Sequence, residues 1–155
     1  MGRIMDTVVE HFDVVGLHYE LVPDEDALKS GLCGDNGIFP LRFFADEEDA
    51  VLILIMSAEA RIPAKRRSSV CGFLTRLNWD FPFGGFQMDL SDGEVIYQSA
   101  IDVEDGVLST TMVGNMVSDA IRAVDTNFPG LMAVTFAGIL PADAIVDDAD
   151  LLMVQ

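Results

Sequence analysis

Val51-Leu52-Ile53-Leu54-Ile55-Met56 is a run of six consecutive apolar residues. Such a run predicts a central strand covered on both faces, because a half-solvated strand would alternate apolar with polar. The acidic stretch Asp46-Glu47-Glu48-Asp49 precedes it as a solvated loop. Upstream of that loop, Ile38 to Phe44 predicts another strand, with Phe39, Leu41 and Phe43 on one face. Pro40 inside it points to an edge position or a bulge, since proline donates no ladder hydrogen bond. Leu28 to Cys33 predicts its hairpin partner across the turn Gly34-Asp35-Asn36-Gly37. Leu17, Tyr19 and Leu21 alternate with His18 and Glu20 as a first strand, which Pro23 and Asp24-Glu25-Asp26 end. At the start of the chain Ile4, Val8 and Phe12, with Met5 and Val9, form one face of a helix closed by Gly16.

Downstream, Pro63 suits the first turn of a second helix whose buried face is Val70, Phe73, Leu74 and Leu77. Asn78 is expected to take a left-handed cap. Phe86 to Leu90 and Glu94 to Val103 predict two strands joined at Ser91-Asp92-Gly93, and Gly84-Gly85 reads as the turn before them. Ser109 caps a long helix striped by Val113, Val117, Ile121, Val124 and Phe128. Pro129-Gly130 kinks or ends it, and Leu131 to Leu140 resumes as a helix unless it is a strand. Helix, three or four strands, helix, two strands and helix make an α+β fold, an antiparallel sheet covered mainly on one side. A sheet with an exposed apolar face is a liability, so a homodimer is expected.

The chain has 155 residues, half of them hydrophobic, and a mean hydropathy of +0.34, enough for one well-filled core and too much for a disordered acidic tail. One domain over residues 1–155 is expected, with 142–155 as an acidic tail. The 26 acids against nine Lys plus Arg give a net charge of −17. That argues against unaided nucleic-acid or membrane binding, because phosphates and anionic lipids want cations. No signal segment is legible at the start, and the uncharged stretch from Thr126 to Ala142 is interrupted by Asn127, Pro129, Gly130 and Pro141, so a cytoplasmic protein is expected. Cys33 and Cys71 form no framework and read as small buried hydrophobes.

Catalytic motifs are missing. His11 and His18 read as surface or boundary residues that share no helix face. No zinc, phosphate-loop or nucleophile-elbow pattern occurs, and the acidic runs fail the calcium-loop spacing. No catalytic residue, cofactor or metal is therefore expected. Five of the nine cations fall between positions 61 and 76. Arg61, Lys65 and Arg76 are expected on the outer face of the second helix, with Arg67 toward its flank. They either receive an acidic or phosphorylated partner or neutralise carboxylates nearby, and the abundance of acids favours neutralisation. Trp79, Phe81, Phe83 and Phe86 likewise either anchor a partner or fold back over the core, and Pro82 with the glycines favours packing.

Ile62-Pro63, Lys65-Arg66, Leu74-x-x-Leu77-Asn78, Gly85-Phe86-Gln87-Met88-Asp89 and Gly93-Glu94-Val95-Ile96-Tyr97 together resemble the YbjN family of bacterial domains over roughly residues 50–135. Asn78 at the helix end and the Gly-Phe entry to the next strand carry most of the likeness. The resemblance implies a fold like that of the dimeric type III secretion chaperones and a sensory-transduction or other regulatory role through protein binding. It assigns no catalytic residues. The expected function is thus a non-enzymatic, homodimeric protein-binding module, with Arg61, Lys65, Arg76, Trp79, Phe81 and Phe83 as candidate partner contacts. The alternatives are a chaperone-like binder of an unfolded client and a small enzyme using carboxylates such as Asp89 or Asp102.

Overall fold

A computed structural model describes residues 2–146. Helix α1, Arg3–Val15, buries Ile4, Met5, Val8 and Phe12 and ends at Gly16, whose φ of 72° suits a residue without Cβ. Its own N-cap, Gly2, offers no side chain. Glu47 supplies the missing acceptor from across the fold, its Oε1 taking the Ile4 N–H at 2.9 Å and the Met5 N–H at 3.1 Å. A carboxylate there also meets the positive end of the helix dipole. Any Cβ on Gly2 would fall on that carboxylate. The 46–49 loop is therefore not merely solvated, since one of its acids caps a helix.

The strands are β1 (Glu20–Leu21), β2 (Ala27–Cys33), β3 (Ile38–Asp46), β4 (Val51–Arg61), β5 (Gly84–Met88) and β6 (Glu94–Asp102). They form one antiparallel sheet in the order β1-β2-β3-β4-β6-β5. The expected first strand shrinks to two residues. Leu17 instead returns its N–H to the Phe12 carbonyl at 3.0 Å, and the Tyr19 ring meets Phe12 edge-on, so both side chains pack on the helix end. Gly84 and Gly85 open β5 and are not a turn before it.

β3 is an interior strand, yet Pro40 fits it. The Gly34 N–H bonds to the Gly37 carbonyl at 2.8 Å, so pairs alternate outward from that turn and Pro40 faces Gly31 in a non-hydrogen-bonded pair. Its nitrogen points toward β4, whose pairing begins one residue later at Leu41–Met56.

β4 departs from its predicted double cover. Leu52, Leu54, Met56 and Ala58 are buried, while Val51, Ile53, Ile55 and Ser57 between them are only half-buried. Helices α1 and α3 pack against one face alone. The other face stays open and carries Phe44, Ile53 and Ile55 around Arg42, whose guanidinium lies 4.9 Å over the Phe44 ring.

Helix α2, Arg67–Asn78, follows a 3-10 turn at Ala64–Arg66, and it buries Val70, Phe73, Leu74 and Leu77 as the periodicity requires. Asn78 does not adopt a left-handed conformation. Its side-chain amide pairs with β5 as a strand would, donating to the Phe86 carbonyl at 2.9 Å and accepting the Phe86 N–H at 2.7 Å. That satisfies part of an edge strand that would otherwise invite pairing.

Helix α3, Thr110–Phe136, begins where the Ser109 hydroxyl accepts the Met112 N–H at 3.1 Å. It runs through Pro129 without stopping. Proline has no N–H for the carbonyl four residues back, and that carbonyl belongs to Asp125. The Asn36 amide nitrogen takes it at 2.9 Å, while the Asp125 carboxylate accepts the N–H groups of Asp35 at 3.0 Å and Asn36 at 2.7 Å. The β2–β3 turn thus supplies the partner that Pro129 cannot. Leu131 onward is helical up to Phe136, and Gly138 (φ 68°) follows where the chain turns away. Ile121 and Phe128 sit at the margin of the buried stripe, which is filled by Met116, Ala120, Ala123 and Leu131 as well.

The buried apolar residues other than Ala27 form one continuous cluster. Cys33 is exposed and Cys71 half-buried, contrary to expectation, because Cys33 lies on the open face. Of the tail, a 3-10 turn at Pro141–Ala144 packs near Gly130 and Gly72; Asp147 onward lies outside the described residues.

Candidate functional site

The cations between 61 and 76 do not share a helix face. β4 continues to Arg61, whose guanidinium pairs with Asp92 in the β5–β6 turn and lies 3.9 Å from Glu94. Arg66 caps the end of α3, donating to the Val134 carbonyl at 2.9 Å and to that of Thr135 at 3.1 Å. Arg67 holds the Ile62 and Leu90 carbonyls, each at 3.0 Å. Lys65, in the 3-10 turn, and Arg76, near the end of α2, are exposed and make no ion pair or side-chain hydrogen bond among the described residues. Pro63 explains the division, since it opens a 3-10 turn that separates the strand end from the helix.

The aromatics divide too. Phe81 is half-buried against Tyr97 and Phe86, with ring centroids 5.9 and 5.8 Å away. Trp79 is 88% exposed and Phe83 75% exposed, which is far from core packing.

Phe83 stands at the lip of a cleft of about 350 Å³ between α3 and the end of the sheet. Met112, Asn115, Met116 and Asp119 line it from α3 at helical spacing, and Tyr97, Ser99 and Ile101 line it from the core face of β6. Gly84 makes room for it, because a Cβ there would strike the Tyr97 hydroxyl. Burial, with Asp119 nearby adding to it, pushes the Tyr97 phenol up to about 12, so the hydroxyl remains a donor throughout the physiological range. Ser99 is buried, and its Oγ has no hydrogen-bond partner among the described residues. A buried orphan hydroxyl costs free energy unless an incoming group completes it.

The cleft combines two adaptable methionines, an exposed ring and a few polar atoms at its base. Asp119 is its single carboxylate among the described lining residues, and neither histidine reaches it. Asp89 and Asp102 flank opposite ends of β6, and Asp89 is held below the usual carboxylate range by hydrogen bonds from the Ser91 hydroxyl and N–H. These carboxylates form no acid–base pair. Of the lining residues, Phe83 is the one among the partner contacts expected from the sequence. Ser99 was legible as the one hydroxyl in the apolar alternation Val95, Tyr97, Ser99, Ile101, and Met112 and Met116 by their spacing.

The described residues form an open antiparallel sheet of six strands with three α-helices, which resembles the fold of the type III secretion chaperones. Residues 5–132 match the YbjN family, described as "Putative bacterial sensory transduction regulator", and the chain belongs to that family. Among solved structures, YbjN from E. coli, described as a putative transcription regulator, is similar at 11% identity and a TM-score of 0.58, covering 86% of this chain and 89% of that one. A chain of the HopA1–SchA chaperone–effector complex gives 18% identity and 0.52, covering 78% and 89%. The ExsC–ExsE complex gives 12% and 0.50, covering 81% and 91%. No curated protein matches the sequence.

Proposed function

We propose that the chain is a single-domain, non-enzymatic protein-binding module of the YbjN type, acting as a homodimer and seating a partner segment in the cleft under Phe83. The observation that carries this reading is the pairing of an exposed aromatic lip with a buried, unsatisfied Ser99 hydroxyl at the cleft floor. An apolar side chain fills the methionine-lined space, and the segment's backbone completes Ser99 and Tyr97. Asp119 favours a lysine or arginine beside that apolar residue. Lys65, Arg76 and Trp79 lie outside the cleft as peripheral contacts for acidic or aromatic parts of the same partner. Within this reading an unfolded client is the second possibility, supported by the chaperone–effector complex among the structural neighbours. The same reading makes the module a cytoplasmic one, and the −17 charge disfavours contact with an anionic bilayer.

A peptide array of apolar segments tests the assignment. Peptides carrying Leu or Met next to Lys should bind more tightly than equally apolar peptides carrying Glu. Phe83→Ala should weaken them roughly tenfold or more, as loss of an aromatic anchor does, with the melting temperature unchanged. Equal binding of both sets, or indifference to Phe83→Ala, would refute the cleft. Lys65→Glu with Arg76→Glu tests the peripheral cations without unlatching Arg61 from Asp92.

A further inference from the structure

The open face of the sheet is ordered by charge as well as by apolarity. Three successive rows cross it. Asp46, Val51 and Asp102 form the first, Ala27, Phe44, Ile53 and Ala100 the second, and Glu20, Lys29, Arg42, Ile55 and Gln98 the third. The first row carries two acids and the second is wholly apolar; the third sets Glu20 against Lys29 at the sheet edge and leaves Arg42, between Lys29 and Ile55, as a cation with no acid beside it in the row. Arg42 has no ion-pair partner among the described residues, and its Nε is buried without a hydrogen bond. Asp46 uses only Oδ1 within its own turn, for the N–H groups of Glu48 and Asp49, which leaves Oδ2 available.

We propose that a second copy of this chain packs on this face, with the twofold axis running along the apolar row. Rotation about that line lays Phe44 on Phe44 and Ile53 on Ile53 of the two copies. It exchanges the outer rows, so Asp46 of each copy faces Arg42 of the other and Val51 faces Ile55. Rows of one face lie about 6.8 Å apart along a strand, and packed sheets lie about 10 Å apart. An arginine spans that gap to a carboxylate. Any other axis along a row sets acids against acids or leaves Arg42 buried without a partner, so the charge order selects this arrangement as well as permitting it. The contact is isologous and closes as a dimer. It rests on the homodimer in the function proposed above and gives that dimer its surface.

Sedimentation equilibrium on the full chain decides it. Arg42→Asp places Asp opposite Asp46, and Asp46→Arg places Arg opposite Arg42, so each variant alone should dimerise roughly a hundredfold or more weaker than wild type. An equimolar mixture of the two variants restores both opposite-charge contacts and should form a heterodimer within about tenfold of wild-type affinity. Circular dichroism checks that both fold. Ile53→Glu, on the axis and facing itself, is the substitute if Asp46→Arg disturbs its turn, and it should also give monomers. A monomeric wild type overturns the homodimer itself. A dimeric wild type whose variants each stay dimeric overturns only this surface. A mixture that stays monomeric overturns the pairing of Arg42 with Asp46.

Discussion

Asn36→Ala should destabilise the protein through Pro129, a residue on a different element. In α3 the Asp125 carbonyl lacks its helical donor because Pro129 has no N–H, and the Asn36 amide fills that role at 2.9 Å. Removing it leaves the carbonyl to water. A neutral hydrogen bond contributes about 0.5–1.5 kcal/mol net, and solvent access here argues for the lower half of that range. With a urea m-value of about 2 kcal/mol/M, a loss of 0.5–1 kcal/mol moves the midpoint by roughly 0.25–0.5 M. The decisive measurement is a double-mutant cycle. In a Pro129→Ala background the restored N–H serves the carbonyl, so Asn36→Ala should cost markedly less, with a coupling of about 0.5 kcal/mol or more. Effects of Asn36→Ala on its own turn, and of Pro129→Ala on helix propensity, cancel in the cycle. All four proteins are compared at one concentration, because association shifts apparent stability. An equal cost in both backgrounds, to within about 0.3 kcal/mol, would refute the substitution of a turn asparagine for a helical donor.

Glu47→Ala should remove the side-chain cap that Glu47 gives α1 and cost about 1 kcal/mol, lowering the melting temperature by roughly 2–4 °C; an unchanged melt would sink that assignment. Asn78→Ala frees both Phe86 backbone groups on the sheet edge, so it should destabilise by about 1–3 kcal/mol and speed hydrogen exchange at the Phe86 N–H. His11, packed against Gly114 on α3, has its pKa lowered by burial. Its contribution is therefore complete above about pH 6.5, the unfolded value, and is lost as pH falls through the folded one. Thermal melts should show wild type losing stability relative to His11→Gln as pH drops below 6.5, and a pH-independent difference would contradict it.

Much of the fold was legible because it depends on neighbours in sequence. The stripe of α1 and its Gly16 cap, the Gly34–Gly37 turn, the alternation in β3 and the Ser109 cap follow from local periodicity and backbone freedom. The misreadings share a cause. Pro40, Asn78 and Pro129 read locally as punctuation, yet each is accommodated by a distant segment: the late start of β4 pairing, the Phe86 backbone and Asn36. The spacing of the cations of 61–76 suggests one helix face, but the helix begins only at Arg67. Of the site, Phe83 could be named from its loop, whereas Ser99 and Asp119 lie 20 residues apart and meet only when α3 crosses the sheet end.

By itself, then, the sequence determined the element order, the α+β class and the acidic surface, since propensity, periodicity and charge are properties of short segments. The tertiary structure alone decided which face of the apolar strand Val51–Met56 is covered. Its all-apolar composition is compatible with two covers, and only packing shows that the helices take one face and leave the other open.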